Sequence, residues 1–172
     1  MTGPCRISAP MPPLSDRRRL LGLLAGGMAL AAGLAGGAAR AAAPVAQVWR
    51  APSCGCCGAW MAHLRRAGLT VAEIAEEDLE PVKDRLGVPA ALRACHSARI
   101  GPLVVEGHVP AAEILAALGD AAAGRIAGLA VPGMPVGSPG MEMGPRAEAY
   151  EVLAWGPAGT RVRARYLGPQ RL

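Results

Sequence analysis

The sequence predicts an α/β sandwich with a small mixed sheet, helices packed on it and a C-terminal β-hairpin. Three observations carry this. Short apolar runs suited to buried strands alternate with stretches whose large apolar residues recur every three or four positions. Gly, Pro and Asp punctuate the junctions between them. Near the C-terminus, two alternating runs flank Gly156-Pro157-Ala158-Gly159, the pattern of a hairpin. The order strand, helix, strand, helix, strand, helix, hairpin belongs to the α/β class.

Val45 to Trp49 reads as a buried strand, and Ala51-Pro52-Ser53 breaks it. Trp60, Met61, Leu64 and Ala67 share a helical face, which predicts a helix from about Cys57 to Arg66 with Gly68 past its C-cap. Leu69 to Ile74 is a second strand. Asp78 can cap a short helix through Leu86, ended by Gly87. Val88-Pro89 opens a further turn reaching Cys95-His96. Arg99 to Glu106 is expected as a single third strand. Pro110 suits the first position of a helix running to Leu118. From Gly128 the chain is rich in Gly, Pro and Met and cannot be regular throughout. No internal repeat is visible.

The N-terminal segment has a separate role. Ser15-Asp16-Arg17-Arg18-Arg19-Leu20-Leu21 opens a Gly/Ala-rich apolar run to Ala39, and Ala39-Arg40-Ala41 is a small-x-small cleavage site. Positive start, apolar middle and small-residue end predict an export signal over residues 1–41, and the paired arginines resemble its twin-arginine version. An uncleaved membrane anchor is the alternative, disfavoured by the weak apolarity of Gly and Ala. The expected mature domain is residues 42–172, exported and off the membrane. The signal carries five arginines and one acid, a net of +4 out of +5 for the chain, leaving about +1 for the mature part. A basic patch for nucleic acid is therefore not indicated. The single lysine among many arginines, with the abundant Ala and Gly, reads as genomic base bias and receives no functional reading.

Cys54, Cys56 and Cys57 crowd three thiols into four positions between a strand and a helix, and Cys95 is the fourth thiol after the signal. Cys54 and Cys57 have C-x-x-C spacing at a helix N-terminus, where partial positive charge stabilises a thiolate. After a strand, this is a thioredoxin-like redox signature. Cys56 complicates that reading, because a third thiol competes for any disulfide. Two structural disulfides from all four cysteines are awkward, since a Cys56–Cys57 bridge would be vicinal. A soft metal accounts for the crowding better, because thiolates favour Cu(I), Zn(II) and iron–sulfur clusters and can bridge two ions. Cys95 and His96 add a fourth sulfur and an imidazole if the segment before the third strand meets the first strand-to-helix turn. A structural zinc of Cys₃His or Cys₄ type is the alternative, although two separated C-x-x-C pairs are its usual pattern.

His108, at a strand-to-helix turn, is a further candidate ligand. Met134, Met141 and Met143 are weaker ones: methionine usually packs, but thioethers also suit Cu(I). His63 is expected to face solvent. Glu106 and Glu142 are either groups behind the ligands or solvated.

Cys54-Gly-Cys-Cys-Gly-Ala-Trp60, Gly87-Val-Pro-Ala, Cys95-His-Ser, Glu106-Gly-His-Val-Pro110 and the run Gly128 to Met141 occur in an order that resembles an exported bacterial family, domain of unknown function 411, with its CopG-like members. The resemblance covers nearly all of residues 45–155. It implies a thioredoxin-like fold, a periplasmic location, a link to copper and other metal resistance, and a cysteine-bridged copper cluster able to change redox state. Carried onto this chain, it implicates Cys54, Cys56, Cys57 and Cys95, with His96 and His108 beside them. Ser97 stands where relatives often have Thr. Copper ions, with other periplasmic copper-handling proteins, are the implied partners. Two rivals stay open: a metal-free thiol–disulfide oxidoreductase using Cys54 and Cys57 catalytically, and a structural zinc or disulfide module. The residues alone do not demand an enzyme.

Overall fold

The structure is a computed structural model that describes residues 43–172. The export signal expected over residues 1–41 lies outside the described residues. The element order is β1 (Val45–Arg50), α1 (Gly55–Arg66), β2 (Thr70–Ala75), α2 (Glu80–Leu86), a 3₁₀ turn (Ala90–Leu92), β3 (His96–Ile100), β4 (Leu103–Gly107), α3 (Ala111–Ala122), β5 (Gly128–Val131), β6 (Ala149–Gly156), β7 (Gly159–Leu167) and the short β8 (Gln170–Arg171).

The strands form one mixed sheet in the order β2-β1-β3-β4-β5-β6-β7-β8. β1 and β2 are parallel, as are β4 and β5, so α1 and α3 are the crossovers that parallel pairing requires. The other neighbours are antiparallel and need only turns. Alternate strand residues face opposite sides, and each side has its own cover. Trp60, Met61 and Leu64 of α1 join Ala111, Ile114 and Ala117 of α3 in one buried cluster with Val48, Ile100, Val105 and Leu129. Val88, ahead of the 3₁₀ turn, and Leu92, its last residue, pack with Val104, Ala130 and Trp155 in the other. The α/β sandwich is therefore as expected, but the sheet has eight strands and is not small.

One expectation needs correction. The single strand over 99–106 is a hairpin: Gly101, at φ +58°, and Pro102 turn the chain between β3 and β4. Ile100 before the turn and Leu103, Val104 and Val105 after it are all buried, so the run reads as one strand unless the Gly-Pro pair is weighted as a turn. The run from Gly128 is, as expected, not regular throughout: Gly128–Val131 is the fully buried β5, and no helix or strand follows until β6 at Ala149. A side chain at Gly128 would collide with the Trp155 ring, 2.2 Å from where its Cβ would stand. The C-terminal hairpin forms as expected, with Gly156 paired to Gly159 across its turn.

Candidate metal centre

The topology gathers several chain segments at one end of the sheet. β1 ends there at Arg50, which pairs with His96 at the start of β3. β4 ends there at Gly107, which pairs with Val131 at the end of β5. The crevice beyond the carboxyl ends of strands is where open α/β sheets place ligands.

α1 begins at Gly55, two residues earlier than the apolar periodicity suggests. Cys54 is consequently its N-cap residue, and Cys56 and Cys57 lie in its first turn. No acidic residue occupies that turn, so the positive end of the helix faces the sulfurs unopposed. Arg50 shapes the preceding loop by donating to the carbonyls of Ala51 at 3.0 Å and Pro52 at 2.9 Å, while its Nε donates to Glu73 at 2.8 Å.

Cys54 and Cys57 are joined in a disulfide, and Cys56 and Cys95 are free thiols. Cys54 and Cys56 sulfurs lie 3.6 Å apart, and Cys57 and Cys95 sulfurs 3.9 Å apart. The four Sγ atoms all fall within 4.8 Å of one another. Cys95, His96 and His108 form a second such group, sharing Cys95 with the first. Every candidate of the cysteine–histidine set is thus brought to one point.

Each imidazole is tied by its other contacts. His108 is buried, and its Nδ1–H donates to the Pro139 carbonyl at 2.8 Å. That leaves Nε2 as a lone pair 3.2 Å from Cys95 Sγ. His96 is fully buried, with Nδ1 3.1 Å from the same sulfur and its ring 4.3 Å from that of Trp60. Its Nε2 has no hydrogen-bond partner. Burial lowers the His96 pKa to about 3, with His108 and the Lys83 charge adding to the effect. Burial likewise lowers that of His108. Both are neutral imidazoles, the protonation state a metal requires. Burial, then the neighbouring Cys56, pushes the Cys95 thiol up to about 12, so it is protonated in the metal-free protein.

The Gly/Pro/Met loop after β5 crosses the first turn of α1. Gly140 makes this possible. Its φ is +86°, and a Cβ there would lie 2.6 Å from the Trp60 amide nitrogen and 2.9 Å from the Cys56 carbonyl oxygen. Glu142 caps the bend by accepting from the Gly140 N–H at 2.8 Å and is itself exposed. Met134 and Met143 are exposed and Met141 half-buried.

Two residues, His63 and Lys83, differ from their sequence reading or were missed by it, and for Glu106 one of two open alternatives is realised. His63 is half-buried, not solvent-facing, and its Nε2 accepts from the Ala111 N–H at 3.0 Å, capping α3. No sequence signal marks a cap supplied from another helix. Glu106 is fully buried and belongs behind the ligands: it accepts from Ala94 N–H at 2.7 Å and from Ser97 Oγ at 2.5 Å, and pairs with Lys83 at 2.9 Å. Lys83, the single lysine of the chain and without a role in the sequence reading, is buried in this pair.

The donor set suits a soft metal: up to four thiolates converge with two neutral imidazoles, whose Nδ1 (His96) and Nε2 (His108) face the Cys95 sulfur. Among the described residues no helix is long and apolar enough to cross a membrane.

Comparison with known proteins agrees with this chemistry. The family model described as "Protein of unknown function, DUF411" matches residues 92–141. Two solved structures of copper resistance protein copG are similar to the chain. Form 1 is 47% identical with a TM-score of 0.67, covering 71% of this chain and 96% of that one. Form 2 is 44% identical with a TM-score of 0.65, covering 72% and 98%. No curated protein sequence matches.

Proposed function

We propose, for a chain that belongs to the copper resistance protein copG family and carries its DUF411 signature, that it holds Cu(I) in a thiolate-bridged cluster in the service of copper resistance. The observation that supports this most is the convergence of four sulfurs within 4.8 Å, joined through Cys95 to two neutral imidazoles. Cys54, Cys56, Cys57 and Cys95 are the ligands in this reading, with His96 and His108 completing the shell. Copper is the cargo. Loading requires that an external dithiol first reduce the Cys54–Cys57 disulfide, passing it two electrons and two protons to give two thiols and itself becoming a disulfide. Metal then displaces the thiol protons, helped at Cys54, Cys56 and Cys57 by the positive end of α1. Methionines 134, 141 and 143 are left as candidate transfer groups at the mouth. Residues 1–41 serve as the export signal and 42–172 as the periplasmic metal-binding domain, where other copper-handling proteins would deliver or collect the ion.

One observation favours a second reading. A Cys54–Cys57 disulfide at a helix N-terminus is also what a thiol–disulfide oxidoreductase of thioredoxin-like type presents. Anaerobic titration with Cu(I) against a competing chelator, with metal counted per chain, separates the two. The copper reading expects two or more tightly held ions in the fully reduced protein and fewer in the disulfide form. Weak binding in both forms, with the thiols still reactive, leaves disulfide exchange as the function.

A further inference from the structure

Seventeen arginines and one lysine supply the positive side chains of this chain. The lone lysine, Lys83 on α2, is 3% exposed, among the most buried charges of the molecule. Its Nζ lies 2.9 Å from Glu106 Oε1 and also donates to the Ala94 carbonyl. Glu106 Oε1 accepts the Ala94 N–H, and Oε2 accepts the Ser97 hydroxyl. One ion pair therefore holds both peptide groups of the residue before Cys95 and the side chain of the residue after His96.

Stability does not explain why the pair is kept. Desolvation of two buried charges offsets most of their attraction, and apolar replacements of such pairs are often no less stable. Composition does not explain it either, since every other basic position has become arginine. The chemistry of the site does require a compact ammonium. Its donors on a slender stem reach a carboxylate and a carbonyl together, whereas a planar guanidinium would bury further donors there without acceptors.

We infer that Lys83, acting with Glu106, is a positioning residue for the Cys95-His96 half of the metal site. The pair fixes the peptide so that Cys95 Sγ stays 3.9 Å from Cys57 Sγ and 3.1 Å from His96 Nδ1. This rests on the copper-cluster reading. Groups that hold metal ligands in place typically change affinity by about 10–100-fold when removed.

A double-mutant cycle on the reduced full chain tests it. Cu(I) affinity is measured by chelator competition for wild type, the paired variant K83M/E106Q, C95S, and all three changes together. The neutral pair should weaken binding about 10–100-fold in the wild-type background and clearly less once Cys95 is serine, where only His96 is left to position. Melting of the metal-free proteins reports folding alongside. An equal loss in both backgrounds means general destabilisation and overturns the inference, as does no loss at all. If K83M/E106Q does not fold, S97A enters the same cycle with the same criterion, a loss that shrinks in the C95S background. A wild type that binds no Cu(I) overturns the cluster reading and this inference with it, a result distinct from a wild type that binds and variants that bind equally.

Discussion

The sulfur of Cys95 stands 3.9 Å from that of Cys57, although 38 residues of chain separate them. The sheet order explains the meeting. β3 lies directly beside β1 and runs antiparallel to it, so the start of β3 returns to the end of β1, where α1 begins. This contact turns a local three-thiol motif into a four-sulfur site.

Cys56 separates metal binding from disulfide exchange. It is free and is not needed for a Cys54–Cys57 couple. Cys56→Ser should reduce the number of Cu(I) ions held per chain while leaving Cys54–Cys57 reduction and reoxidation by a dithiol largely intact. Metal counting and a disulfide-exchange assay on one preparation check both halves. Unchanged copper content would remove Cys56 from the site.

Copper affinity should rise with pH. Burial holds the Cys95 thiol protonated up to about pH 12, so a metal must displace that proton across the whole neutral range. Each proton released makes binding ~tenfold tighter per pH unit. Competition titrations at several pH values measure the slope, and Cys95→Ser should lower it by one proton.

The metal-free protein should lose stability in acid through its histidines. Burial sets the His63, His96 and His108 values below the ordinary 6.5, so the unfolded chain binds more protons than the folded one below that pH. Their contribution is complete above about pH 6.5 and is lost as pH falls through the folded-state values. For His63 the physical event is plain: protonated Nε2 can no longer accept the Ala111 N–H. His63→Gln offers a non-titrating acceptor, so its melting temperature should vary less between pH 7 and pH 5 than that of wild type.

Gly140→Ala should disturb the site without touching a ligand. A Cβ at φ +86° and 2.6 Å from the Trp60 amide forces the loop away from α1. Strain of this kind costs about 1–3 kcal/mol. The loop also carries the Pro139 carbonyl that orients His108. Lower melting temperature together with weaker Cu(I) binding is the expected result, measured by thermal unfolding and chelator competition.

Much of this was legible in the sequence because the signals were local. Three thiols ahead of the apolar face of Trp60, Met61 and Leu64 announced both α1 and the site on its first turn. The alternation around Gly156-Pro157-Ala158-Gly159 announced the hairpin. What escaped depended on distant partners. The end of β3 and β4 merged into one run because Ile100 and Leu103 to Val105 are all buried apolar residues, and Gly101-Pro102 alone marks the turn between them. His63 gives no sign of capping α3, and Glu106 looks like any strand carboxylate until Lys83, Ala94 and Ser97 close around it. The strap formed by Gly140 likewise follows from a contact with α1 that no local pattern encodes.

The most direct test of the central claim is X-ray absorption at the copper edge of the reduced, anaerobically loaded protein. A cysteine-bridged cluster predicts Cu(I) with a first shell dominated by sulfur, a minor nitrogen contribution and a copper–copper scattering path. A shell of nitrogen and oxygen alone, or copper with no copper neighbour, would contradict it.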